Sequence, residues 1–125
     1  MAQHKQSPSI RQVWWVSNEA LEISDPDTVE HPAIVMRVTD STVLILSGSS
    51  TAYPFQGMEM AVLTTADFEL GSVVRPLTKR QTYFAVNKEY GVDFDRLDVF
   101  RECVGDLTTA AWTRVLDARA RGARS

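Results

Sequence analysis

The sequence is poor in the residues that hold disulfide-linked and metal-stabilised proteins together. Cys103 is its only cysteine, and His4 and His31 are its only histidines. A single cysteine excludes an internal disulfide and is typical of a reducing compartment. A structural zinc site needs about four cysteine or histidine ligands in one place. We therefore expect no metal and no other cofactor.

Long hydrophobic runs are also missing. No apolar stretch approaches the roughly 20 residues of a membrane-spanning helix. Residues 1–9 are polar and lack the apolar centre of a signal peptide. These absences, together with the single cysteine, predict a cytoplasmic protein that does not bind membranes.

An excess of positive charge is also missing: 16 acidic residues outnumber 13 basic ones, so the net charge is −3. A global basic field, which marks many nucleic-acid-binding domains, is therefore excluded. The charge is unevenly distributed, however: acidic residues gather in 19–30 and 89–98, and basic residues in 75–80 and 114–124. The basic stretches are either solvated surface or a rim that contacts RNA.

The chain has 125 residues, 44% of them hydrophobic, which fits one globular domain. We divide it into a flexible arm (1–10), a single domain (11–118) and a basic tail (119–125).

Short β-branched and aromatic runs separated by turn residues predict strands rather than helices. The predicted strands are 13–16, 33–38, 42–46, 58–63, 72–74 and 81–86. Residues 87–93 are expected to leave the sheet, followed by a short helix at 95–99 and one more short strand.

The clearest local signal is a C-terminal helix. Thr108 is a good N-cap, and Leu107 before it can pack against Trp112 at the fourth helical position. Gly122 is a typical helix stop. The sequence therefore predicts a mainly β fold with a C-terminal helix, built as a five- or six-stranded barrel or curled sheet.

Common catalytic motifs are absent: there is no glycine-rich phosphate loop and no nucleophile elbow. The informative feature is a predicted hairpin of strands 33–38 and 42–46, joined by a turn at Asp40-Ser41. In an antiparallel pair the start of one strand lies beside the end of the other. This geometry brings His31, before the first strand, close to Ser49, after the second.

The order of these segments resembles that of the MazF/PemK toxin endoribonucleases. That family has a Gly-Asp-Val-x-Trp-Val-type first strand, an Arg-Pro-x-x-Val second strand, a third strand followed by hydroxyl residues, and a Val-Gly-Arg-Leu-Ser lead into the last helix. The corresponding segments here are Arg11-Gln12-Val13-Trp14-Trp15-Val16, His31-Pro32-Ala33-Ile34-Val35, Thr42-Val43-Leu44-Ile45-Leu46-Ser47-Gly48-Ser49-Ser50 and Val104-Gly105-Asp106-Leu107-Thr108.

The resemblance implies a small closed β-barrel of the MazF/PemK (CcdB-like) type. It also implies a homodimer, metal-independent cleavage of single-stranded RNA and inhibition by an acidic antitoxin peptide. The family's catalytic hydroxyl corresponds to Ser49, with Ser50 beside it. The family's arginine ahead of the second strand has no counterpart, because Glu30-His31 stands there.

Cleavage by a ribose 2′-hydroxyl needs a proton acceptor, a proton donor and a cation for the phosphate. Histidine can move the proton near neutral pH, and basic side chains can bind the phosphate. We therefore predict His31 and Ser49 as catalytic residues. The predicted substrate-binding residues are Trp14, which could stack on a base, and Arg37, Ser50, Lys79 and Arg80.

Two alternatives remain at this point. His31 and Ser49 can be ordinary turn and loop residues, Lys79 and Arg80 surface charges, and Trp14 a core residue. The whole protein can also be a non-catalytic protein- or nucleic-acid-binding module, of phage or chromosomal origin, that keeps the same fold. The missing arginine and the negative net charge favour this second class, in which the arm and the basic tail would make the contacts.

Overall fold

A computed structural model describes residues 8–21, 29–51 and 56–123 of the chain. It contains a six-stranded antiparallel sheet in the order β4-β5-β3-β2-β1-β6, curled into a half-barrel, and one α-helix. The mainly β fold with a C-terminal helix is therefore confirmed. The elements are β1 (Gln12–Ser17), β2 (Glu30–Val38), β3 (Thr42–Ser49), β4 (Met60–Leu63), β5 (Thr82–Asp93), β6 (Phe100–Asp106) and α1 (Thr109–Ala123).

Strand β1 is buried on both of its faces. Val13 and Trp15 belong to the core between the sheet and α1, whereas Trp14 and Val16 point into a second core on the opposite face. Side chains alternate along a strand, so four consecutive apolar residues require a covered surface on each side. The second core is completed by residues such as Leu21 and Phe100.

Helix α1 begins as predicted. The Oγ1 atom of Thr108 accepts a hydrogen bond from the backbone nitrogen of Ala111 at 3.1 Å, the expected N-cap contact. The helix buries Ala111, Val115 and Ala118, and its partly buried Trp112 packs against the same core. The helix continues to Ala123, so the segment predicted as a tail from residue 119 is largely helical.

Strand β5 is twice as long as its prediction, and the expectation that residues 87–93 leave the sheet is wrong. Its first part pairs with β4 and with the end of β3, and its second part pairs with the start of β3. The register shifts where Leu46 faces Glu89 and Gly48 faces Phe84. An irregularity of this kind lets a strand bend and continue along the same partner.

The sheet is not a closed barrel in the described ranges, where no ladder joins β4 to β6. Residues 68–76, which we call the strap, lie along the outer edge of β6 instead. Backbone nitrogens of Glu69, Val74 and Arg75 donate to carbonyls of β6, and Phe68 forms an isolated bridge with Leu107. The prediction of closure is thus corrected: an irregular segment covers the edge that a barrel would pair.

Among the described helices, none combines the length and the apolar character that crossing a bilayer requires.

Candidate functional site

The predicted β2–β3 hairpin is present, and it positions the candidate site. Its turn is closed by a hydrogen bond from the backbone nitrogen of Thr39 to the carbonyl of Thr42 at 2.8 Å. At the end of the hairpin opposite the turn, the β2–β3 ladder finishes with the pair of Ala33 and Ser47. His31 and Ser49 lie two residues beyond this pair, so alternation places them on the same face of the sheet, opposite α1.

His31 is half-buried and oriented by a neighbouring amide. Its Nδ1 atom lies 2.5 Å from the Oδ1 atom of Asn18, in the 3₁₀ turn Asn18–Leu21 that follows β1. Because Oδ1 can only accept, this contact favours the proton on Nδ1. In the neutral ring, Nε2 is then the nitrogen that can accept a proton.

Ser49 lies beside an open cleft on β5. It pairs with Tyr83 across the β3–β5 ladder. The cleft next to this pair has a volume of about 790 Å³ and is lined mainly by polar groups. Its lining residues are Ser50, Thr64, Thr65, Lys79, Arg80, Gln81 and Tyr83. The structure thus brings together three of the predicted substrate-binding residues, Ser50, Lys79 and Arg80, next to the predicted catalytic Ser49.

The two cations of this cleft are exposed. Within the described part of the chain, neither Lys79 nor Arg80 forms an ion pair. A phosphate entering the cleft would therefore find positive charge without displacing a carboxylate.

Arg75 differs sharply from these two. Its Nη1 atom lies 2.6 Å from Glu30 and 3.0 Å from Glu102, and its guanidinium stacks over the Trp15 ring at 4.6 Å. The hydrogen bond to Glu30 is the main cause that raises the pKa of Arg75. Arg75 therefore ties the start of β2 to β6 and to the strap.

Two predicted substrate-binding residues lie away from the cleft. Arg37 is near the turn end of the hairpin, six residues along β2 from His31, which corresponds to roughly 20 Å. Trp14 is only 8% exposed, packs edge-on against Phe100, and donates from Nε1 to Gln12 at 2.9 Å. In this structure Trp14 is a core residue.

Sequence reasoning missed five residues of the site, namely Asn18, Thr64, Thr65, Gln81 and Tyr83. Tyr83, at the start of β5, and Gln81, just before it, are two residues apart. In an extended chain this spacing places both side chains on one face, and this was the signal that could have identified them. Thr64 caps the 3₁₀ turn Thr65–Asp67. Asn18 could not be found, because only the fold brings it to His31.

The basic C-terminal stretch is engaged within the molecule. Arg114 pairs with Asp67 at 2.8 Å, Arg119 with Glu89, and Arg121 with Glu59 at 3.2 Å. These contacts fasten the exposed side of α1 to β4, β5 and the turn between them. The arginines therefore do not extend the basic cleft.

The described residues contain no group of three or more His, Cys, Asp or Glu side chains that could hold a metal. Cys103 is half-buried in β6, and its Sγ atom lies 3.6 Å from the carbonyl oxygen of Val13. Burial, reinforced by Asp106, raises the pKa of this thiol to about 11. The thiol is consequently a poor nucleophile near neutral pH.

No family model matches the sequence, and no curated protein matches it either. Solved structures do match. An endoribonuclease from Mycobacterial species is 12% identical, with a TM-score of 0.58 over 98% of this chain and 96% of the other. A second endoribonuclease from Mycobacterial species, solved with its cognate antitoxin, is 14% identical, with a TM-score of 0.57 over 94% of this chain and 96% of the other. The chain therefore has the same fold as these two endoribonucleases, which confirms the resemblance at the level of fold.

Proposed function

We propose that the protein is a toxin-type endoribonuclease of the MazF/PemK kind, which cleaves single-stranded RNA without a metal. The observation that carries this proposal is the placement of Ser50, Lys79 and Arg80 around one open cleft. Ser49 lies next to that cleft through its pairing with Tyr83, at the hairpin end that also holds His31. The shared fold with two endoribonucleases supports it.

The proposed reaction uses the ribose of the substrate as its nucleophile. The 2′-oxygen attacks the adjacent phosphorus while its proton passes to Nε2 of His31. The bond from phosphorus to the 5′-oxygen breaks, and the 5′-oxygen takes a proton from a water molecule in the open cleft. The products are a 2′,3′-cyclic phosphate and a 5′-hydroxyl. Lys79 and Arg80 stabilise the charge that builds on the phosphorane, and the Ser49 hydroxyl donates to one of its oxygens. Only RNA has the required hydroxyl.

The missing family arginine changes where positive charge comes from. Glu30, near its expected place, is held by Arg75 and presents no cation to a phosphate. In our proposal the positive charge comes instead from Lys79 and Arg80, across the cleft. Arg37 would be reached only by a longer RNA that follows the hairpin.

Two partners belong to the same proposal. We expect a homodimer, the commonest symmetric assembly, and an antitoxin, because one structural neighbour was solved with its own. An acidic antitoxin segment would compete with RNA for Lys79 and Arg80. We also expect the protein to act in the cytoplasm, where single-stranded RNA is available as its substrate.

The test is incubation of the purified protein with a long single-stranded RNA in excess chelator. The wild type is expected to cut, and His31→Ala and Ser49→Ala are each expected to slow cleavage by about 100-fold or more. Arg121→Gln is the control, since it removes a charge from α1 at a residue that pairs with Glu59 and does not line the cleft. Equal cleavage by wild type and both variants would place the active site elsewhere.

A non-catalytic binding module is the second candidate. The observation that favours it is the Glu30–Arg75 pair, which stands where the family has a catalytic arginine. Under this alternative, RNA stays intact in every condition and induction of the protein does not arrest bacterial growth. Either result, with a folded protein, decides against the nuclease.

A further inference from the structure

Tyr83 and Gln81 form a hydrogen-bonded pair inside the cleft. They are two residues apart in extended chain, so their side chains lie on the same face. The Oη atom of Tyr83 donates to the Oε1 atom of Gln81 at 2.8 Å. We propose that this pair reads a base of the bound RNA and selects a keto base, uracil or guanine, over an amino base. The inference rests on the proposed function for the nature of the ligand.

The hydrogen bond determines what Gln81 can recognise. A free amide reads adenine by donating and accepting at once. Here the Tyr83 hydroxyl donates to one lone pair of Oε1 and fixes the orientation of the amide, which leaves both hydrogens of Nε2 available as donors. Among the described residues, that nitrogen has no acceptor. Gln81 is therefore set to donate to a carbonyl oxygen, such as O4 of uracil or O6 of guanine.

The neighbouring side chains strengthen the same preference. Lys79 and Arg80 are donors only and have no acceptor to offer an amino group. A base whose exocyclic amine faces Gln81 Nε2, Lys79 or Arg80 would bring a donor against donors. Hydroxyls that can accept lie elsewhere in the lining, on Ser50, Thr64 and Thr65. A base with a carbonyl facing Gln81 accepts the hydrogen bond from its Nε2, so the donor that the base covers is not left without an acceptor.

Tyr83 also supplies a surface on which that base can rest. Its ring is half-buried and lines the cleft next to Ser49. Aromatic side chains in single-strand binding sites stack on bases of any identity. Stacking on Tyr83 thus gives affinity, and donation from Gln81 gives the choice between bases.

The experiment compares binding of a uridine octamer and a cytidine octamer by fluorescence anisotropy. The two bases are both pyrimidines and differ at C4, where uracil has a carbonyl and cytosine an amine. We expect wild type to bind the uridine octamer roughly fivefold or more tightly. Tyr83→Phe keeps the ring but frees the amide to turn, so it should bind both octamers with similar affinity. Gln81→Glu replaces donors by acceptors and should move the ratio towards cytidine.

The outcomes separate this inference from the nuclease proposal. Equal binding of the two octamers by wild type, or an unchanged preference in Tyr83→Phe with a wild-type melting curve, overturns base reading even if long RNA is cut. The expected ratios without any cleavage support base reading and count against the nuclease. Failure of wild type to bind either octamer overturns base reading and points to a peptide as the occupant of the cleft.

Discussion

The Nδ1 atom of His31 lies 2.5 Å from the Oδ1 atom of Asn18 and joins the start of β2 to the 3₁₀ turn after β1. Asn18 does not line the cleft. In the proposed reaction it would be a positioning residue, which keeps the proton on Nδ1 and leaves Nε2 to accept one.

Replacement of Asn18 by Ala should slow RNA cleavage, but less than His31→Ala, which costs about 100-fold or more. The loss should appear in kcat rather than in KM, because the cleft itself is unchanged. Single-turnover and steady-state kinetics separate the two parameters. Wild-type kcat in a folded Asn18→Ala protein would mean that the amide does not position the ring.

Gly48 tolerates no side chain, because a Cβ atom there would lie 2.4 Å from the Phe84 ring. We expect Gly48→Ala to lower the free energy of unfolding by about 1–3 kcal/mol, as overpacked core substitutions do. Urea denaturation measures the change. Gly122→Ala is the matched control. Its new Cβ would meet the exposed Asn87 side chain, which can move away, so its cost should be smaller.

Arg75 is predicted to stabilise the fold rather than to bind RNA. Arg75→Gln removes the cation shared by Glu30 and Glu102 and the contact with Trp15. Since the group is partly exposed, we expect a loss of about 1–2 kcal/mol in the free energy of unfolding. The loss should shrink in high salt, and the affinity for RNA should stay unchanged. Weaker RNA binding by a folded Arg75→Gln protein would contradict this assignment.

Lys79 and Arg80 are predicted to behave in the opposite way. Arg80→Gln should change the free energy of unfolding by less than about 0.5 kcal/mol. It should weaken binding of single-stranded RNA and reduce the slope of log K against log salt by about 0.7. Titrations at several salt concentrations measure this slope. An unchanged slope would show that the Arg80 side chain is not at the phosphates.

Cys103 should make the free energy of unfolding depend on pH, and the burial of its thiol determines the sign of that dependence. Its pKa rises to about 11 in the folded protein, whereas the unfolded thiol ionises near pH 8.5. The stability contributed by the buried neutral thiol is therefore fully present below about pH 8.5 and is lost as the pH rises towards 11.

Because the thiol is only half-buried, solvent screening reduces this contribution, and between pH 8 and 11 the wild type should lose up to about 2 kcal/mol more than Cys103→Ala. Urea denaturation of both proteins across this range makes the comparison. Iodoacetamide should label the folded thiol slowly at pH 8 and rapidly once urea is added. Parallel pH profiles for the two proteins would refute the shift.

Local signals were sufficient to predict the helix and the hairpin. The Thr108 cap and the Asp40-Ser41 turn depend on residues close together in sequence, and both are present in the structure. The hairpin in turn explains why Ser49 and His31 were assigned to one end of the sheet. The adjacent basic residues Lys79 and Arg80 both line the cleft, and their role in binding substrate stays a prediction.

The parts of the fold and of the site that the sequence did not predict depend on contacts between segments far apart in the chain. Asn87 and Lys88 look like the end of a strand, yet β5 continues because β3 offers it a second partner beyond the register shift. The burial of Trp14 requires a second core, which no local pattern reveals. The arginines of α1 looked like a free basic tail until the fold placed acidic partners opposite them.

The strap performs two tasks with one stretch of chain. It connects the region after β4 to β5, and it also shields the hydrogen-bonding edge of β6, which would otherwise be open to pairing with another molecule. Leu70, at its tip, is fully exposed and is a natural point for proteolysis. A single cleavage there would leave every strand intact but free the strap from the edge of β6. The exposed edge could then pair with a strand of another molecule, so cleavage by a protease would make this chain prone to edge-to-edge aggregation.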